Sequence, residues 1–200
     1  DAAKQALLDY TGCAIGAAQQ NVAIATKKAV EAWGATGKAQ IFLGGTTAPA
    51  LAALVNGAMT HAMDYDDTHP GGAGHPSGPI WSSALALAAH HGIAERNALS
   101  AFVTGFEIMA RLGGGGPPGV GRSLQRRGLH PTSVFGRPGA AATASAMLGL
   151  DEQKIAYALG IAATTAGGLV GSFGTDSKPF HAGKAAMDGI LAADLADDDA

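Results

Sequence analysis

Apolar residues recur at intervals of three and four along almost the whole of this 200-residue chain, and no stretch alternates strictly between apolar and polar residues. Val22, Ala25, Ala29, Val30 and Trp33 follow that spacing behind Asn21, a favourable N-cap. Leu51, Leu54, Val55, Ala58, Met59, Ala62 and Met63 repeat it after Thr47 and Pro49, a helix-start signal. The same reading predicts helices over 80–91, 97–111, 136–148, 151–166 and 183–196, with Asp151 as an N-cap. Runs rich in Val, Ile and Thr are missing, so the predicted fold class is all-α, in a single helical domain spanning 1–200.

Composition narrows what such a domain can do. Hydrophobic residues make up 47% and charged residues 14%, the opposite of the balance that keeps a chain disordered. A net charge of -3 does not suit a nucleic-acid binder, which needs a basic face to neutralise phosphates. Apolar stretches such as Ala84 to Ala89 fall far short of the roughly 20 residues of a membrane span. Neither a nucleic acid nor a membrane is expected as a partner, and without a basic start leading into an apolar run the expected location is the cytoplasm. Cys13 is the single cysteine, which excludes an intrachain disulfide and any all-cysteine metal or iron–sulfur site. Glycine, at 30 of 200 residues, is about twice its usual share of roughly 7% and implies closely packed helices with unusual loop angles.

The polar and glycine-rich breaks at Asp64–Pro79, Gly113–Gly121, Arg126–Pro138 and Gly167–Pro179 are where a helical scaffold would mount a site. In the first, His61, Asp64 and Thr68 would share one face if the preceding helix ran on to Thr68, and His75 follows closely. In the second of the polar segments, His130 precedes Pro131 and is held extended, presenting its ring from a loop. In the third, Lys178 and His181 lie just before the helix predicted at Gly183, so that two cations and a helix N-terminus form a cradle for a carboxylate. Gly116–Ser123 nearly matches a phosphate loop, but Arg122 replaces the lysine, two prolines remove donors, and a helix precedes it where a strand is required. The acidic end, Asp194 to Ala200, reads as a solvated terminus.

His61-Ala-Met-Asp64-Tyr-Asp-Asp-Thr68-His with His75-Pro-Ser, then His130-Pro-Thr, then Lys178-Pro-Phe-His181-Ala-Gly-Lys together resemble the signature stretches of the MmgE/PrpD family. The opening Ala3-Lys-Gln-Ala-Leu-Leu-Asp-Tyr-Thr-Gly and the later Ala158-Leu-Gly-Ile-Ala are similar to that family's helices as well. The resemblance implies an all-helical domain, homodimeric, followed further along the chain by a smaller α+β lid that would begin about where this sequence ends. It implies a cofactor-free lyase with no metal, acting on a small polycarboxylate. The first choice of reaction is dehydration of a 2-methylcitrate-like acid, with cis-aconitate decarboxylation or an iminodisuccinate-type epimerisation as alternatives. On that reading His75 and His130 transfer protons and Asp64 orients or charges one of them. Lys178, with His181, binds a carboxylate, and Thr68 hydrogen-bonds a substrate oxygen.

Two other readings start from the same residues. His61, Asp64, Asp66, Asp67, His69 and His75 could hold Mg²⁺ or Zn²⁺ for phosphohydrolase or diphosphate chemistry, although no second acidic cluster outside the terminus completes a two-metal site. Alternatively, Ala- and Gly-rich helices could make the chain a non-catalytic dimerisation module.

Overall fold

A computed structural model describes residues 1–115 and 119–198. Among them the chain forms α1 (Ala2–Gly16), α2 (Asn21–Trp33), β1 (Ala39–Gln40), β2 (Thr46–Thr47), α3 (Pro49–Thr60), α4 (Ser77–His91), α5 (Glu95–Gly114), α6 (Val120–Arg126), α7 (Pro131–Leu148), α8 (Glu152–Thr164) and α9 (Ser177–Asp197), with a short 3-10 turn at Val170–Ser172. The all-α expectation holds; β1 and β2 form only a two-residue antiparallel ribbon. None of the described helices is long and apolar enough to cross a membrane.

The centre of the fold is α9, which packs against α3, α4, α7 and α8. Its buried face is built from small residues: Ala182, Gly183, Ala185, Ala186 and Gly189. A Cβ on Gly57 of α3 would lie 2.7 Å from the Gly183 Cα, and one on Gly183 would lie 2.8 Å from the Ala58 backbone nitrogen. The two helices therefore touch backbone to backbone, which part of the glycine excess makes possible. A second core cluster, of larger side chains, comprises Tyr10, Ile80, Trp81, Phe102, Met109 and Phe135, with Trp81 stacked on Phe102 at 4.3 Å. The Tyr10 hydroxyl meets the Ser82 Oγ at 2.8 Å, and Thr60 donates to the Tyr10 carbonyl at 3.0 Å, so the aromatic core also fixes the end of α3.

Several expected boundaries move. Helix α3 stops at Thr60, and Asp64 sits at a φ of 58°, in the left-handed region, so His61, Asp64 and Thr68 do not form one helical face. The turn is held by buried pairing of His61 with Asp66, described below, which a continuing helix would pull apart. Helix α7 starts at Pro131, where a proline at the first position costs no backbone hydrogen bond, and it runs through Pro138. Helix α9 starts at Ser177 and not at 183, because Pro179 falls within the first turn, whose N–H groups lack intrahelical partners in any case. Lys178 and His181 thus belong to the first turns of α9 and do not precede it. Of the glycine-proline break, Gly113 and Gly114 are the end of α5 and Val120 begins α6; 116–118, the start of the rejected phosphate-loop match, lie outside the described residues. The acidic end is helical through Asp197, with Asp194, Asp197 and Asp198 exposed.

Adding one methyl group at the α3–α9 crossing should separate contrasting glycines. Gly183→Ala is expected to destabilise the fold by about 1–3 kcal/mol through overpacking. Gly160→Ala, on the exposed side of α8 with open space around it, should be neutral or stabilising by up to about 1 kcal/mol. Thermal or urea unfolding of the two variants checks the contrast.

Candidate active site

Three segments meet at the end of the bundle where α3 finishes and α7 and α9 begin. After α3 the chain turns back on itself so that His61, 1% exposed, faces Asp66, 3% exposed. The His61 Nδ1 lies 2.9 and 3.0 Å from the two Asp66 carboxylate oxygens. Next, Asp67 accepts from the Ser77 N–H at 2.9 Å and the Ser77 hydroxyl at 2.8 Å, tying the loop to the start of α4. The loop between them carries His75, whose backbone N–H donates to the Thr132 Oγ1 at 3.0 Å on α7.

His75 is clamped by acceptors on both sides. Its Nδ1 lies 3.2 Å from the Asp66 carbonyl and 3.4 Å from an Asp66 carboxylate oxygen, while its Nε2 lies 3.4 Å from Asp64. Groups that only accept require a proton on each nitrogen that faces them. Burial works against the charged ring, but the hydrogen bond and charge of Asp66, with a smaller share from Asp64, raise the His75 pKa above 6.5. Burial would likewise raise Asp66, yet His61 and His75 outweigh it and hold this carboxyl far below the usual range.

His130 is the opposite case. It is the N-cap of α7, 2% exposed, and its Nδ1 meets the His181 Nδ1 at 2.9 Å. One of the two nitrogens donates and the other accepts. Burial first, then the proximity of His61, His181 and Lys178, push the His130 pKa down to about 2. His181 is also lowered, by burial and then by Arg137. The backbone places this pair. The His130 N–H donates to the Gly168 carbonyl at 2.9 Å and the Val170 N–H to Gly128 at 2.9 Å, so the approaches to α7 and α9 run side by side. Gly168 has a φ of 118°, and a Cβ there would strike the Ser133 side chain. Below it, the buried Arg137 donates to the Ser133 carbonyl at 2.6 Å, to Gly167 at 3.0 Å and to Asp188 at 2.7 Å; Lys184 also pairs with Asp188.

Lys178 completes the group. Its ammonium pairs with Asp64 and lies 5.1 Å from the Phe173 ring, whose edge meets His130 at 4.9 Å. Burial would raise Asp64, but the hydrogen bond and charge of Lys178 and the neighbouring His75 lower it. A cavity of about 560 Å³ opens here, lined by His61, Asp64, Gly174, Thr175, Asp176 and Lys178.

Five of the six residues singled out from sequence, Asp64, His75, His130, Lys178 and His181, are therefore neighbours. Thr68 is exposed on the loop, and its hydroxyl makes no hydrogen bond among the described residues. His69 turns away to accept from the Gly72 N–H at 3.0 Å and pack on Phe106. Sequence reasoning gave Asp66 a place only in the metal reading, and gave Arg137 and Phe173 none. A buried Asp between two His in a turn has no periodic signature, and Arg137 was hidden in a segment taken as a break. One ligand atom each from His61, Asp64, Asp66 and His75 lies within 4.8 Å of the others, a spacing a divalent cation would tolerate. Lys178 also brings an ammonium to Asp64, one of the four.

The whole chain, residues 1–200, matches the MmgE/PrpD N-terminal domain. The chain belongs to the MmgE/PrpD family. Over 153 residues it is 41% identical to the cis-aconitate decarboxylase of Homo sapiens, a match covering 74% of this chain and 31% of that protein. The corresponding Mus musculus protein is 40% identical over 153 residues, covering 74% of this chain and 30% of its own length. The cis-aconitate decarboxylase-like protein oryM of Aspergillus oryzae is 35% identical over 159 residues, covering 75% and 32%. The matched region spans about a third of the length of these relatives.

The two histidine environments should separate in an NMR titration of the ring signals. His75 is expected to lose its proton only above pH 6.5, whereas His130 should stay neutral from there down to acid unfolding. Titration of both rings near 6.5 would show that the carboxylates do not grip His75.

Proposed function

We propose that this chain supplies the anion-binding and proton-donating wall of a lyase acting on a small polycarboxylate, and that the reaction is a decarboxylation. The observation that carries this reading is His75, whose two ring nitrogens face the carboxylates of Asp66 and Asp64, the latter paired with the Lys178 ammonium and lining a cavity. Such a group is equipped to protonate carbon next to a bound anion.

A substrate carboxylate would take over Lys178, which is paired with the half-exposed Asp64, and leave Asp64 to His75. In an unsaturated tricarboxylate the bond to the departing carboxylate breaks and its electron pair forms a new double bond. The existing π pair moves to the carbon beside a remaining carboxylate, carbon dioxide leaves, and that carbon takes the proton of His75. Lys178 steadies the charge as it develops. Such a step needs an acid and a cation but no strong base.

Dehydration needs a base as well, and that requirement favours decarboxylation. With its pKa pushed down to about 2, His130 is a weak base, suited with His181 to hydrogen-bond substrate oxygens and not to carry off a proton from carbon. The relatives from Homo sapiens and Mus musculus bear decarboxylation in their names, which supports the same choice. Dehydration of a 2-methylcitrate-like acid, the first choice from sequence, becomes the second reading.

The full-length enzyme should release carbon dioxide from cis-aconitate, with kcat/KM falling as pH rises through the raised pKa of His75 because the acid form is lost there. His75→Gln is expected to lower kcat about a hundredfold or more. Lys178→Ala should act mainly on KM, by roughly ten- to a hundredfold for one lost charge-assisted hydrogen bond. Activity should survive exhaustive chelation. Faster loss of water from 2-methylcitrate with cis-aconitate left unconverted would contradict the decarboxylase reading.

A further inference from the structure

His61 has no part in the chemistry above, yet it is among the most deeply buried polar side chains of the protein. It stands at the C-terminal end of α3, its ring edge-on to His75 at 4.6 Å and stacked on His130 at 5.8 Å. Its two nitrogens are in unlike surroundings. The Nδ1 lies within hydrogen-bond distance of both Asp66 oxygens. The Nε2 is buried and has no hydrogen-bond partner among the described residues. A carboxylate only accepts, so the ring must carry its proton on Nδ1.

Asp66 is therefore one carboxylate serving two imidazoles. Its oxygens are pinned by the His61 N–H, and one of them faces the Nδ1 of His75 at 3.4 Å. A carboxylate free to rotate would offer His75 a changing acceptor, whereas one held by a two-oxygen contact offers a fixed one. We propose that His61 is a positioning residue: by donating its Nδ1–H to both oxygens of Asp66 it locks that carboxylate and thereby holds the ring of His75 in the orientation that points Nε2 at Asp64, which lines the cavity. The proposal rests on the reading of His75 as the proton donor. The other groups around His75 are Asp64 on its Nε2 side, with Lys178 of α9 behind Asp64, and His130 of α7 beyond His61. None of these holds the Asp66 carboxylate, so the locking contact falls to His61.

Two near-isosteres divide the roles of the two nitrogens. Asparagine places an amide N–H close to the position of Nδ1, and glutamine places one close to Nε2. In the full-length enzyme His61→Asn should keep kcat within about threefold of wild type, whereas His61→Gln and His61→Ala should lose about tenfold or more in kcat. Rescue by Gln and not by Asn would overturn the proposal in favour of a direct role for Nε2. Wild-type kcat in all three would reduce His61 to packing and overturn it as well.

A second measurement needs neither turnover nor a variant that folds. Nitrogen-15 shifts and one-bond couplings of the His61 ring in the unaltered protein should show the proton on Nδ1, slow to exchange. A proton on Nε2 with a bare Nδ1 overturns the proposal. Should no polycarboxylate be turned over while the His61 proton sits on Nδ1, the lyase reading fails and the His61–Asp66 lock stands.

Discussion

The carboxylate of Asp66 is removed almost completely from water, and the ionised form survives there only because two imidazoles surround it. Burying an unpaired carboxylate costs several kcal/mol, so its partners have to arrive together with it. That requirement shapes the whole connection from α3 to α4. The helix must end at Thr60 to let the chain double back, Asp64 must accept a left-handed backbone, and Asp67 must anchor the returning strand of chain on Ser77. The reward is a histidine whose pKa is raised above 6.5, facing the Asp64 that lines an open cavity.

The scaffold's part is to bring the other two segments to that turn. The backbone-to-backbone crossing at Gly57 and Gly183 sets α9 against α3, which lands Lys178 on Asp64. Arg137 then joins α7, α9 and the loop at Gly167 through one buried guanidinium, and its five fixed donors suit it for such a junction better than a lysine would. The consequence is a site with opposed electrostatics: one imidazole whose pKa is raised by carboxylates, and a neighbouring pair whose pKa is lowered by burial and nearby cations. Neither environment could be built on a single helix face.

Much of the fold was legible from periodicity, because most of the helices are long and repeat apolar residues at intervals of three and four. The boundaries that shifted did so for local reasons. Pro131 and Pro179 look like breaks in a sequence but stand in first turns, where a missing N–H costs nothing. The stop at Thr60 is set by a tertiary contact, the pairing of His61 with Asp66, which no propensity records. The glycine excess pointed to close packing without saying where; Gly57, Gly113 and Gly183 turn out to press on other backbones at distances that a Cβ would violate. The site residues Asp64, His75, His130, Lys178 and His181 came through the family resemblance and polar density in loops. Asp66 did not stand out among the acids around it, since its importance lies in burial, and burial within a turn leaves no pattern.

The most direct test of this account is the carbon-13 signal of the Asp66 carboxyl followed from neutral to acid pH in the folded protein. The account requires that this group stay ionised well below 3.8, its ordinary value. Uptake of a proton by Asp66 at or above that value would mean that the two imidazoles do not hold the charge, and the organisation of the site described here would be wrong.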